Sequence, residues 1–227
     1  MNIKLKSLAI ASSIVLIGSF ATPATAHVSV VPGVSAAGNT TDALTVGKNN
    51  TLGFRVGHGC GLEADIKHPV TKKTIATAGV STFGTHAFSV TVPVEALGAA
   101  GTTAPRPAFI PGFRTSIVKN ANGTMTVTWK AISRDFDVPN GPTGDVATTS
   151  YFDFGLRVNF APSASGKRVT FPAKQRCLVD VPAVKRTATT KARAATTISV
   201  YETWDGSTVD DVKDNNSRST APSVTVF

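Results

Sequence analysis

The chain has 227 residues, a formal charge of +9, 41% hydrophobic residues, 16% charged residues and two cysteines. That is enough for one sizeable domain or two small ones, and the even spread of pattern favours one. A single apolar run, Leu8 to Phe20, is too short and interrupted for a comfortable membrane span, and no second run of about 20 apolar residues follows.

The first residues have the form of an export signal. Lys4 and Lys6 precede the apolar run, and Ala24-Thr25-Ala26 is the small-residue pattern that a signal peptidase accepts. Removal of residues 1–26 takes two positive charges with it, leaving +7 on a mature chain that begins at His27. An N-terminal histidine offers a free α-amine and an imidazole Nδ1 on one residue, placed to chelate one metal ion. Nitrogen donors of this kind suit Cu(II), which stands at the top of the divalent affinity order. The alternative is a first residue that is histidine by chance.

Beyond His27, turn residues punctuate short runs of Val, Ile, Thr and Phe, the signature of an all-β protein. The predicted strands are His27–Val31, Thr51–Val56, Ala64–Lys67, His86–Val94, Thr115–Lys119, Thr124–Ile132, Tyr151–Phe160, Arg168–Phe171 and Thr197–Tyr201. Asn122-Gly123 predicts a hairpin between Thr115–Lys119 and the Met125–Trp129 run, because Asn-Gly tolerates the positive φ of a tight turn. The Ala161–Gly166 stretch predicts a second antiparallel pair, joining Phe154–Phe160 to Arg168–Phe171. Along Phe152, Phe154, Leu156, Val158 and Phe160 every second residue is large and apolar, so Asp153, Gly155, Arg157 and Asn159 look outward. Segments 98–111 and 139–149, rich in Gly, Pro, Ala and Thr, are expected as loops. The polar stretch after Asp205 is expected to be partly disordered.

Cys60 and Cys177 both fall in the exported part, where a disulfide is the default. Copper-binding thiolates are the weaker alternative, since neither cysteine belongs to a CxxC. Lys185, Arg186, Lys191 and Arg193 concentrate positive charge in a Thr/Ala-rich stretch without aromatic residues. Nucleic-acid binding usually asks for stacking aromatics or a basic helix, so a solvated loop near an anionic surface is the better reading. No nucleophile elbow, P-loop, dinucleotide fingerprint or His-Glu-x-x-His occurs, and no catalytic role is expected. Met125 is the only methionine after the signal, which leaves no multi-thioether site for Cu(I) and points to Cu(II). His58 reads first as a turn residue beside Cys60, and His68 and His86 as surface or structural residues.

Taken in order, His27-Val-Ser-Val30, Arg55-Val-Gly-His-Gly-Cys60, the Val127-Thr-Trp129 strand, Tyr151-Phe-Asp-Phe-Gly155 and Phe171-Pro-Ala-Lys-Gln-Arg-Cys177 resemble the YcnI-like family of exported copper-binding proteins. The resemblance implies a single antiparallel β-sandwich, immunoglobulin- or cupredoxin-like in general shape, spanning 27–205 between the signal peptide and a polar tail of 206–227. It implies Cu(II) held through the amine and Nδ1 of His27, a carboxylate ligand at Asp153 where the family usually has glutamate, and a tryptophan beside the metal at Trp204. Trp129 matches another family tryptophan and reads as a core aromatic. The function so implied is a non-catalytic copper-trafficking or homeostasis protein, secreted, periplasmic or held at the cell envelope. Its expected partners are the copper ion and a membrane copper transporter or another copper chaperone, with no nucleic acid and a monomeric or weakly dimeric state. The competing readings are a histidine-brace copper monooxygenase and a structural or adhesive surface sandwich.

Overall fold

Period-two alternation organises the molecule. The computed structural model describes residues 28–32, 44–57, 59–62, 64–78, 83–138, 151–205, 216–219 and 221–227. Its strands are β1 (Val28–Pro32), β2 (Asn49–Val56), β3 (Ile66–Lys67), β4 (Thr74–Ala76), β5 (Thr85–Val92), β6 (Arg106–Pro107), β7 (Phe113–Lys119), β8 (Met125–Ala131), β9 (Phe152–Asn159), β10 (Arg168–Thr170), β11 (Ala173–Val181), β12 (Thr196–Trp204), β13 (Asn216–Ser219) and β14 (Ser223–Thr225). The described residues contain no α-helix; Val94–Ala96, Arg134–Phe136 and Pro162–Ala164 form single 3-10 turns.

Two main sheets carry the fold, one ordered β1-β2-β9-β6 and the other β13-β12-β11-β5-β8-β7. Every pairing within them is antiparallel except β12 with β13. Leu52, Phe54 and Val56 of β2 and Phe154, Leu156 and Val158 of β9 are buried in one core with Phe88, Val90 and Val92 of β5 and Val127 and Trp129 of β8. The Phe88 ring stacks on Phe154 at 4.7 Å and lies 6.3 Å from Phe54, so aromatic contacts join the two inner faces. The architecture is therefore the all-β sandwich expected, with apolar inner faces and polar outer ones.

The β7–β8 hairpin forms at the Asn-Gly turn, where Gly123 has φ +84° and Asn120 accepts from its amide at 3.0 Å. The second expected hairpin does not form. β9 lies between β2 and β6 in the four-stranded sheet, whereas β10 pairs with β14 near the C-terminus. The Pro162–Gly166 turn thus carries the chain out of a sheet instead of reversing it within one, because the β9 edge is already taken by β6.

Two further expectations are corrected. β11, at the centre of the larger sheet, is a strand that the sequence pattern does not announce, since its buried side is Ala173, Gln175, Cys177, Val179 and Val181 and so lacks any large apolar residue. The segment after Asp205 is not a separate tail throughout: Ala221, Val224 and Val226 are buried, and Val224 and Val226 belong to the main core. Main-chain bonds hold this segment, with Phe227 N–H donating to Leu44 C=O at 2.7 Å and Val226 N–H to Lys167 C=O at 3.0 Å.

Cys60 and Cys177 form a disulfide with a Cα–Cα distance of 5.9 Å. It fastens the segment that follows β2, in the smaller sheet, to β11 in the larger one. Around it Cys60, Leu62, Ile66, Ala76, Cys177, Val179 and Val200 make a second, smaller apolar cluster.

Candidate metal centre

His27 lies outside the described residues, as does His58. The residue after His27 is Val28, which opens β1 and pairs with Val56; the next row across the sheet is Ser29, Arg55 and Asp153. β2 therefore stands between β1 and β9, two strand spacings or about 10 Å in all.

Asp153 looks outward as its position in β9 requires, with 37% of its side chain exposed. It has a partner of its own. The Arg55 guanidinium donates from Nε to Oδ1 and from Nη2 to Oδ2, both at 2.9 Å, in a bidentate fork. The same guanidinium lies 3.6 Å from the centre of the Tyr151 ring. The hydrogen bond to Asp153 holds the Arg55 pKa above its ordinary value, followed by the coulombic attraction of the same carboxylate. Thus the carboxylate expected as a copper ligand is neutralised by a cation on the strand that separates it from β1.

Trp204 ends β12 with 2% of its surface exposed, inside the core. Its indole is on the inner side of the sandwich and Asp153 on the outer side, so the smaller sheet lies between them. The structure does not bring these two expected site residues together. Trp129 is fully buried between Phe88 and Phe154, and its Nε1–H donates to Ala108 C=O at 3.3 Å, the role of a core aromatic with its one polar atom satisfied.

The two described histidines are engaged within the fold. His68 is 4% exposed, its Nδ1 accepts from the amides of Val70 and Thr71 at 3.1 Å, and Nε2 is 3.1 Å from Pro182 C=O. Two donors on Nδ1 place the proton on Nε2, which donates to that carbonyl. His86 donates from Nδ1 to Asp137 Oδ1 at 2.7 Å, both side chains being only 10% exposed, and Asp137 Oδ2 receives Arg134 at 3.3 Å. Arg134 continues to Asp180 at 2.7 Å, so these ion pairs tie the 134–138 segment to β5 and β11.

Sequence reading passed over one buried acid. Glu202 is 4% exposed and its Oε1 accepts from Gly61 N–H at 2.6 Å, holding the backbone next to the disulfide. The signal was available: Val200, Glu202 and Trp204 alternate along β12, so an inward Glu follows from an inward Val and Trp. Opposite it on β11 is Gln175, fully buried, whose Nε2 donates to Thr85 Oγ1 at 2.6 Å.

Among the described residues no group of three or more His, Cys, Asp or Glu side chains is arranged to hold a metal. A hollow of about 220 Å³ on the smaller sheet is lined by Thr51, Arg106, Pro107, Ala108, Gly155, Leu156 and Arg157, with no carboxylate or imidazole for acid–base work.

The fold and these contacts define a disulfide-stapled antiparallel β-sandwich. No protein-family model matches the chain, and no curated protein does. Among solved structures, an uncharacterized protein from Nocardia farcinica, described as having an immunoglobulin-like fold, is similar at 17% identity and a TM-score of 0.39, over 82% of this chain and 94% of that one. The assignment of a sandwich rests on the two sheets of this chain and not on that likeness.

Proposed function

We propose that this protein is an exported Cu(II)-binding protein of the cell envelope, holding one copper through the amine and imidazole of a mature N-terminal His27. The observation that carries the reading is the order of the sequence: an export signal ending in Ala24-Thr25-Ala26, then His27, then a residue fixed at once in β1. Anchoring of Val28 against Val56 supports it, because a chelate built on one residue gains from a tethered neighbour. The disulfide agrees with an oxidising destination.

The carboxylate contribution is smaller than the family resemblance implies. Asp153 is held by Arg55, and Trp204 lies in the core, so the proposed chelate rests on His27 alone. With His68 and His86 both committed to protein partners, neither described histidine is free to complete a two-histidine brace, which favours binding over oxygen chemistry.

The test is intact mass of the exported protein with and without one equivalent of Cu(II), for wild type and for a variant with one residue inserted before His27. Wild type is expected to begin at His27 and bind one copper, and the extended variant to bind at least tenfold more weakly. Equal binding by both, or an uncleaved leader, would overturn the reading.

A further inference from the structure

The outer face of the larger sheet carries a second kind of site. Register places Arg114 of β7 opposite Lys130 of β8, Lys130 opposite Ala87 of β5, Ala87 opposite Arg176 of β11, and Arg176 opposite Tyr201 of β12. This is one row running straight across five strands. Lys174 adds a fourth cation two residues along β11 from Arg176, in the row of Ser116, Thr128, Ser89 and Thr203. At the usual strand spacing the cations from Arg114 to Arg176 span about 14 Å.

Their chemistry is one-signed. Arg114, Lys130 and Lys174 are exposed and Arg176 half-buried, and the outward positions between them on β7, β8, β5, β11 and β12 hold no acidic residue. Asp180, further along β11, is bound by Arg134 at 2.7 Å, and Asp205 follows the end of β12. Like charges directly opposite one another on a sheet are unfavourable, so the Arg114–Lys130 pair is a cost that an anionic partner relieves. Hydroxyls make up most of the rest of the face, at Ser89, Thr91, Thr126, Thr128, Ser199 and Thr203, with Ala87, Val118 and Leu178 as its apolar positions.

We propose that this face binds a linear acidic polysaccharide, its carboxylate or sulfate groups on Arg114, Lys130, Lys174 and Arg176 and its sugar hydroxyls on the Ser and Thr rows. A nucleic acid fits less well. Single strands are held by bases stacked on open aromatic rings, and Tyr201, the one aromatic at the described outward positions of this face, has the Lys174 ammonium over its ring at 4.1 Å. The extended row of the site suits a polymer chain lying across strands, and charge complementarity selects an acidic one. Positive charge that the sequence alone assigns to the Lys185–Arg193 loop is thus matched by a patch that only strand pairing assembles.

The experiment measures binding of the full chain to polygalacturonate by calorimetry at two salt concentrations, with neutral dextran and single-stranded oligo-dT as further probes. The variant Arg114→Thr, Lys130→Thr, Lys174→Gln, Arg176→Gln is compared with a second, Lys185→Gln, Arg186→Gln, Lys191→Gln, Arg193→Gln, which removes as much charge from the loop; circular dichroism checks that both fold. The sheet variant is expected to bind polygalacturonate at least tenfold more weakly and with a shallower salt dependence, the loop variant within about threefold of wild type, and dextran not at all. An equal or larger loss in the loop variant, tighter binding of oligo-dT than of polygalacturonate, or no binding by wild type would overturn the proposal.

Discussion

At the scale of single residues, Arg55 and Asp153 decide what the smaller sheet's outer face can do. A carboxylate that accepts two guanidinium bonds at 2.9 Å offers a metal less than a free one does. Replacing Asp153 with Asn is therefore expected to leave the Cu(II) dissociation constant within about threefold of wild type, whereas a ligand role would shift it by tenfold or more; competition titration against a chromogenic chelator separates the two. The pH behaviour of the pair follows from its sign. Asp153 raises the pKa of Arg55 in the folded state, so the arginine's contribution is complete below its unfolded pKa and is lost only as pH rises through the folded one, far into the alkaline range. The difference in melting temperature between wild type and Arg55→Gln should accordingly stay constant between about pH 7 and 9; a steady decline over that interval would mean that another group governs the contact.

At the scale of elements, the C-terminal strands test how far the domain extends. Val224 and Val226 occupy the core, and Phe171, Gly166 and Leu44 all exchange main-chain bonds with the 222–227 segment. Burial of a valine stabilises by about 1.5 kcal/mol or more, so deleting residues 206–227 should cost at least about 3 kcal/mol and lower the urea midpoint clearly. A truncated protein with an unchanged midpoint would show that the segment is an appendage. The β7–β8 hairpin is the converse case, an element whose turn chemistry and alternation act locally.

Across the whole molecule, the disulfide joins sheets that sequence keeps far apart. Its two cysteines are separated by 117 residues, and constraint of so long a loop in the unfolded chain is worth about 4 to 5 kcal/mol in the chain-entropy model. The double variant Cys60→Ala, Cys177→Ala is expected to lose stability of that order in urea unfolding. Copper binding by the same variant, measured below its unfolding midpoint, should persist if the chelate is at His27 as proposed; loss of both together would place the metal near the sulfurs instead.

Much of this could be read from the chain because β-strands expose their environment as alternation. Phe152 to Phe160, the Asn-Gly hairpin and the paired cysteines each declare themselves within a few residues, or by compartment chemistry, and the sandwich follows from them. Where alternation is written in weak letters it fails: β11 buries Ala, Gln and Cys in the middle of the larger sheet, and its length was invisible without neighbours. Partnership is also beyond a local reading. That β9 pairs with β2 and not with β10, that Arg55 claims Asp153, and that Arg114, Lys130 and Arg176 fall into one row are matters of register between distant segments, set by which inner faces pack together. The sequence by itself determined an all-β chain and raised the expectation of export with a histidine at the mature start; only the tertiary structure decided which side chains share a face, because strand pairing brings together residues whose order in the chain carries no record of the meeting.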